Sequence, residues 1–315
     1  MTKNLVIGIS SCLIGERVRF DGGHKRDHFI CDLLANYVDF TPICPEVAIG
    51  LGIPRPAIQL RGDPDNPKLV NSKDHAREYT SEMLNFSRQA MPQLTEISGY
   101  ILKSKSPSCG LKRVKIYQEH GKTPLHGQGL FARTLQETYP SLPIEEEGRL
   151  QDYRLRENFI ERIFIYNEWQ TLTKSDFNAN KLVKFHTRHK LTLMAHSPAT
   201  YKLLGQKVAE LKKYDLESLA KNYIHTFMQG MSYLATPKKH TNVLEHCLGY
   251  FKKQLAAVDK QELIESIYDY RSGLLPLIVP VTLLNHHLKH YPQPYLSTQS
   301  YLNPYPKELM LRNHI

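Results

Sequence analysis

No two cysteines in this 315-residue sequence form a CxxC pair, and their number, five, is odd. The first absence removes the usual ligand spacing of a structural zinc. The second argues against a fully paired disulfide framework. Long hydrophobic runs are missing too. The longest, Leu274 to Leu284, is broken by Pro276 and Pro280 and is too short to cross a bilayer. Met1-Thr2-Lys3-Asn4 leads straight into a strand-like run, without the cationic and apolar segments of a signal peptide. A cytoplasmic protein with reduced thiols is the expectation.

Hydrophobic content of 41% and charged content of 23% are those of a soluble globular protein, and the length suits two domains better than one. The net charge of +10 is unevenly spread. Residues 1–150 hold 19 Lys and Arg against 17 Asp and Glu, whereas residues 151–315 hold 22 against 14. Net charge speaks to partners, and so basic a second half suggests a polyanion, with nucleic acid the first candidate.

One local design occurs three times. Leu5-Val6-Ile7-Gly8-Ile9 runs into Ser10-Ser11-Cys12, and Val38-Asp39-Phe40-Thr41-Pro42-Ile43 into Cys44-Pro45-Glu46. Gly99-Tyr100-Ile101-Leu102 runs into Lys103-Ser104-Lys105-Ser106-Pro107-Ser108-Cys109-Gly110. Each is a short apolar run ending in a cysteine within a turn rich in Gly, Pro or Ser. Such runs, separated by helical patterns at Asp27–Tyr37 and Asp74–Ala90, predict a Rossmann-like α/β domain with a mostly parallel sheet. Ligands of such sheets bind beyond the carboxyl ends of the strands, so Cys12, Cys44 and Cys109 are expected to converge. Lys112–Tyr117 reads as a fourth strand, and Leu142-Pro143-Ile144 as one more. Between them His126-Gly127-Gln128-Gly129 opens a helix at Leu130, as a tight turn or as an anion-binding helix start.

The charged stretch near residues 145–155 marks a boundary between domains at 1–150 and 151–315. Beyond it the period becomes helical, over Asn158–Leu172, Asn180–Ala195, a helix starting at Pro198, Leu216–Leu234, Asn242–Ala257 and Lys260–Gly273. An all-α C-terminal domain is expected. The Pro- and Tyr-rich tail from Tyr291 to Pro306 is expected to lie extended over its surface.

Three convergent thiolates suit zinc or an iron–sulfur cluster; unrelated buried cysteines and a lone nucleophilic thiol are the other readings. Cys31 reads as a buried helix cysteine. Glu46, two residues after Cys44, is a candidate general base or a helix cap or arginine partner. Ser104, Ser106 and Ser108 crowd Cys109 as site hydroxyls or as turn formers, while Lys103 and Lys105 favour thiolates and anionic substrates. Asp21 is a site acid or a turn former. In the second half, Lys184, Arg188 and Lys190 form the densest cationic segment, which Lys202 and Lys207 extend. They read as a phosphate-contacting face or as an ordinary solvated helix surface. His186 and His189, three apart, are a weaker candidate pair of metal ligands.

Ser11-Cys12-Leu13-Ile14-Gly15, Cys44-Pro45-Glu46 and Ser106-Pro107-Ser108-Cys109-Gly110 together resemble the thiouracil desulfidase (TudS) family over roughly residues 1–150. Residues from about 155 onward resemble the YbgA-type helical domain through Lys184-Phe185-His186, Arg188-His189-Lys190, Leu204-Gly205, Gly249-Tyr250-Phe251 and Tyr270-Arg271-Ser272-Gly273. The fusion is similar to RudS-type desulfidases, which act on 4-thiouridine in transfer RNA. The resemblance implies a [4Fe–4S] cluster on Cys12, Cys44 and Cys109 with one iron free for the substrate sulfur. It also implies catalytic roles for Glu46 and for a serine, Ser106 before Ser104, with Asp21 in a family-like segment. The implied reaction is a non-redox hydrolysis that releases sulfide, on a thiolated transfer RNA that the helical domain binds. Free thiouracil or a thiolated nucleotide as substrate, and a zinc-containing RNA-binding module without catalysis, are the alternatives.

Overall fold

The computed structural model describes residues 5–118, 123–174 and 176–315; Met1-Thr2-Lys3-Asn4 lie outside them. It divides into two units, Met1–Gln151 and Asp152–Ile315. The first unit runs β1 (Val6–Ser10), β2 (Asp39–Ile43), α1 (Pro45–Ala48), β3 (Ile58–Arg61), β4 (Lys68–Asn71) and α2 (Thr80–Ala90). It continues through β5 (Tyr100–Leu102), β6 (Val114–Tyr117), β7 (Leu125–Gly127), α3 (Leu130–Thr138) and β8 (Ile144–Glu146).

Four strands form a parallel sheet in the order β2-β1-β5-β8. The α/β fold with a parallel sheet is therefore as the sequence predicts. Central β1 has Ile7 and Ile9 fully buried, as expected of a strand covered on both faces. Gly8 pairs with Tyr100, and a Cβ at Gly8 would stand 2.2 Å from the Tyr100 ring. Only glycine lets that ring lie across β1. The chain leaves β1 for β2 on one side and later returns to β5 on the other. The β1/β5 crevice is thus the switch point where sheets of this type bind ligands.

Lys112–Tyr117 does yield a strand, but in a second sheet of order β4-β3-β6-β7. There two antiparallel hairpins join through the parallel pair β3–β6. The expected helix from Asp74 begins only at Thr80, because side chains capture the backbone first. Asn71 Oδ1 accepts from the N–H groups of Lys73 and Asp74, and Asp74 Oδ1 from that of Ala76. Such Asx turns compete with helix.

The second unit is helical, with α4 (Tyr153–Thr173), α5 (Ala179–His196), α6 (Pro198–Ala209), α7 (Leu216–Met231), α8 (Pro237–Gly249), α9 (Ala257–Arg271), α10 (Ile278–His290) and α11 (Pro294–Ser297). Asp152, Asn178, Ser197, Asp215 and Thr236 cap the first turns of α4 to α8 with side-chain oxygens, each worth ~1 kcal/mol. Helix α5 contributes to two apolar clusters. One gathers Trp169, Phe185, Tyr223 and Phe227, the other Leu244, Phe251, Ile267, Leu284 and Tyr301. No helix among the described residues is long and apolar enough to cross a membrane.

The tail is not a surface strap. Leu296, Tyr301 and Leu302 are buried, and Gln299 and Ser300 donate to the Thr187 and Arg188 carbonyls of α5. Proline prevents a long helix there, yet the interspersed Leu and Tyr side chains carry enough apolar area to be drawn inside.

Buried imidazoles give this unit a pH signature. Burial lowers His186 to about 4 and drives His240 well below the ordinary histidine range. For His196 burial works against the charge, but the bond to Glu161 at 2.8 Å outweighs it and holds the pKa above 6.5. The contribution of His186 and His240 is present above 6.5 and lost as pH falls, whereas that of His196 is present below 6.5 and lost as pH rises. Thermal melts should therefore peak near the ordinary histidine pKa and decline on both sides. His196→Gln should abolish the alkaline decline, and a wild-type melting temperature that climbs steadily into alkali would contradict this account.

Candidate active site

Each cysteine of the trio sits where a parallel strand ends. Cys12 lies in the helical turn Ser11–Ile14 after β1, and Cys44 follows β2 as the residue that caps α1. Cys109 lies in the turn after β5. That turn is held at Gly110, whose N–H donates to the Ser106 carbonyl at 2.8 Å. A Cβ at Gly110 would stand 2.3 Å from Val114 and 2.8 Å from that same carbonyl, so a larger residue would open the loop. The N–H groups of Leu130 and Phe131 donate to the Pro107 and Ser108 carbonyls. The Gly127–Gly129 stretch thus seats α3 on the cysteine loop, and those two N–H groups at its start are spent on that loop instead of an anion.

Cys12, Cys44 and Cys109 line a single cavity of about 370 Å³. Glu46, in the first turn of α1, lines it with them. Its Oε1 accepts from Ser108 Oγ at 2.7 Å and from Ser106 Oγ at 3.4 Å, and its Oε2 from the Arg55 guanidinium at 2.5 Å. Arg55 has only 5% of its side chain exposed and also donates to the Val18 and Gly52 carbonyls. Ser106 Oγ accepts from the Ser108 and Cys109 N–H groups, so Ser106 shapes the turn. Ser108 is fully buried between Glu46 and the Cys109 sulfur, 3.8 Å from its hydroxyl.

The other candidates are placed differently. Ser104 belongs to a bracket with Lys103 and Glu147: its hydroxyl donates to Glu147 at 2.8 Å, and Lys103 Nζ donates to both partners. Asp21 does not line the cavity. Its carboxylate accepts from the Gly23 N–H at 3.0 Å and pairs with Arg19 at 3.3 Å, the turn-forming arrangement, while Arg19 and Phe20 face the cavity. Arg55 is not among the site residues expected from the sequence, and Ser108, not Ser106 or Ser104, makes the shortest serine contact to Glu46. Arg55 stands in a stretch where Gly50, Gly52, Pro54 and Pro56 put unusual demands on the backbone, the one local sign that this loop is special.

Burial dominates the electrostatics. It pushes the Cys12 thiol up to about 11 against the pull of Lys103 and Arg19, raises Cys44 and raises Cys109 further still. Thiols so placed stay protonated at neutral pH unless a metal centre compensates the thiolates. Among the described residues no three His, Cys, Asp or Glu are grouped to hold a single metal ion. Three soft donors around a cavity of this size fit a larger, polynuclear group, which thiolates prefer, and the described lining adds no fourth thiolate.

In the helical unit the basic segment divides between surface and core. Lys184 and Lys202 are exposed, whereas Lys207 is half-buried. Arg188 pairs with Glu168 at 3.0 Å and donates to the Thr298 carbonyl. Lys190, half-buried, lies 4.6 Å from the Tyr295 ring centre. His186 and His189 point inward, to the Tyr223 and Ser300 hydroxyls, and so are core residues instead of a metal pair.

Comparison with known proteins adds the family. Residues 7–147 match the family model for 2-thiouracil desulfurase, and residues 190–306 match one described as a protein of unknown function, DUF1722. The chain is 32% identical over 161 residues to a protein of Escherichia coli (strain K12) named "Uncharacterized protein YbgA", an alignment covering 51% of this chain and 95% of that one. A solved structure described as a [4Fe-4S]-dependent thiouracil desulfidase, TudS, is 27% identical, covering 47% of this chain and 94% of its own, with a TM-score of 0.38. The chain belongs to the YbgA family and carries, ahead of its DUF1722 segment, a segment that matches the 2-thiouracil desulfurase model.

Proposed function

We propose that the protein is a non-redox desulfidase that converts 4-thiouridine in transfer RNA to uridine, with a [4Fe–4S] cluster held by Cys12, Cys44 and Cys109. One observation carries this reading: three thiols from three adjacent parallel strands share a cavity with a half-buried carboxylate that is bonded to a serine and an arginine. The match to the 2-thiouracil desulfurase model supports the same chemistry.

Exchange of C4=S for C4=O consumes one water and releases one hydrogen sulfide, with no net electron transfer. A cluster with three protein ligands supplies a soft Lewis-acidic corner for the substrate sulfur. Glu46 Oε1 takes a proton from the water that attacks C4. Ser108, between Glu46 and Cys109, orients that carboxylate oxygen and lies on a route for the proton to the departing sulfur. Arg55 holds the other oxygen of Glu46 and so fixes which one faces the reaction. Five free cysteines and a thiolate-held cluster suit a reducing compartment such as the cytoplasm.

The basic helical unit distinguishes this reading from action on a free base. Phosphate contacts position a nucleic acid, and a base inside a stack must leave it to enter a cavity of this kind. Anaerobically reconstituted protein should remove 4-thiouridine from transfer RNA with a higher kcat/KM than it shows on free 4-thiouracil. Lys184→Glu combined with Lys202→Glu should cut the transfer RNA value by about tenfold and flatten its salt dependence, leaving the free base unaffected. Equal kcat/KM for both substrates, or equal loss of both in the variant, would favour a free thiolated base or nucleotide instead.

A further inference from the structure

The helical unit holds a second cavity, of about 210 Å³, walled by α4, α8, α9, the end of α5 and the C-terminal segment. Asn158, His240 and Tyr270 line it, and none is more than 4% exposed. Each presents a polar atom that no described residue satisfies. Asn158 Nδ2 donates to the Met231 carbonyl at 2.8 Å, which orients the amide and leaves its Oδ1 free. His240 Nδ1 is 2.9 Å from the Tyr301 hydroxyl. Tyr301 is not part of the cavity wall, so the opposite edge of the imidazole, with Nε2, faces the space. The Tyr301 phenol is fully buried and has no other acceptor for its proton among the described residues. It therefore donates to Nδ1, and the hydrogen of the neutral ring sits on Nε2. The Tyr270 hydroxyl completes the set.

The cavity thus offers two donors, His240 Nε2–H and Tyr270 O–H, and one neutral acceptor, Asn158 Oδ1. Glu157, whose Oε1 accepts from Tyr305 and Arg312, and His196, bonded to Glu161 and the Tyr233 carbonyl, line it as well. A uracil-type edge carries the matching groups, two carbonyl oxygens for the donors and one N–H for the acceptor. Leaving such buried groups unpaired is costly, which is what makes a site of this kind selective. The volume suits one pyrimidine ring. At the rim, exposed Arg154 spends one bond on the Ala235 carbonyl and keeps further N–H groups for a phosphate. Beside it His314 stacks on Tyr153 at 4.2 Å and 26°, an aromatic surface of the sort on which unstacked bases rest.

We propose that this cavity receives one unstacked uracil-type base of an RNA chain, with Arg154 on the adjoining phosphate. This deepens the reading of RNA as the substrate and rests on it for the choice of an RNA ligand. The test uses the full chain with oligouridylate, oligoadenylate of equal length and uridine 5′-monophosphate, measured by equilibrium binding over a salt series. Oligouridylate should bind more tightly than oligoadenylate. Tyr270→Phe removes a hydroxyl without a partner among the described residues, so the variant should melt like wild type. It should nonetheless weaken oligouridylate by about five- to tenfold, the worth of one hydrogen bond, with an unchanged salt slope and no effect on oligoadenylate. Arg154→Gln should instead flatten the slope by about one phosphate contact. Oligouridylate affinity unmoved by Tyr270→Phe would overturn the proposal, and so would uridine 5′-monophosphate binding as tightly as the oligomer, which would assign the cavity to a free nucleotide. Thiouracil turnover is read separately. A protein without turnover but with Tyr270-dependent uracil preference would refute the desulfidase reading alone, and the reverse result would refute this one alone.

Discussion

Glu46→Gln should lower desulfidation by about 10²- to 10⁴-fold, the usual contribution of a general base, while bound iron stays at about four per chain. Cys109→Ala should remove iron and activity together. The contrast follows from what each side chain touches. Glu46 meets two serines and an arginine, and none of these is a soft donor. Its loss leaves three thiols in place around the cavity. Cys109 is one of the three sulfurs that line it, and a group held by two thiolates is labile. In Glu46→Gln the amide oxygen would still accept from Ser108 or Arg55, so the turn should survive. Ser108→Ala deletes the 2.7 Å contact and should cost more activity than Ser106→Ala, which removes the 3.4 Å one. The measurements are iron per chain after anaerobic reconstitution and single-turnover rates. Iron lost from Glu46→Gln, or activity retained by Cys109→Ala, would contradict the assignment.

The trio of cysteines was legible because each follows a short run with strand character, buried in β1 and β5 and half-exposed in the edge strand β2, and because turns rich in Gly, Ser and Pro end such runs. Parallel connectivity then dictates where strand ends meet. Arg55 was not legible in the same way. Its partner Glu46 is nine residues away across a loop, and nothing local says that the loop folds back to insert a guanidinium beneath a carboxylate. The second sheet was hidden for a related reason. Ile58–Arg61 and Lys68–Asn71 are four-residue strands that pair with each other, and the sheet is extended only where β3 meets β6, far along the chain. On α5 the sequence shows Lys184, Arg188 and Lys190 with equal prominence. Helical spacing alone could not tell that apolar clusters on two sides of this helix would draw His186 and His189 inward and tie Arg188 to Glu168. In the tail proline content does not mean exposure, because burial is decided by the apolar side chains between the prolines.

Arg312→Ala should destabilise the helical unit by about 3–5 kcal/mol, the cost of stripping one partner from a buried ion cluster. Arg312 is 4% exposed and reaches two carboxylates one helical turn apart on α4, with Nε 3.3 Å from Glu157 and a terminal guanidinium nitrogen 3.4 Å from Glu161. Its third arm donates to the Tyr301 carbonyl at 2.6 Å. Without it, His196 remains beside Glu161, but Glu157 keeps only the Tyr305 hydroxyl among its described partners. Burial and the neighbouring charge of Glu161 already raise Glu157 above the ordinary carboxyl range. A raised carboxyl contributes stability below its unfolded value that is lost as pH rises, so the variant's deficit should shrink in mild acid, where Glu157 takes up a proton. Combining Glu157→Gln with Arg312→Met removes charge from both sides and should recover more than half of the loss, since a buried pair replaced as a unit costs far less than one broken. Denaturant melts of the full chain followed by helical circular dichroism, at neutral and mildly acidic pH, read all three expectations. A double variant as unstable as Arg312→Ala would show that the arginine acts through its contact with Tyr301, tying the C-terminal segment to the core, and not through its charge.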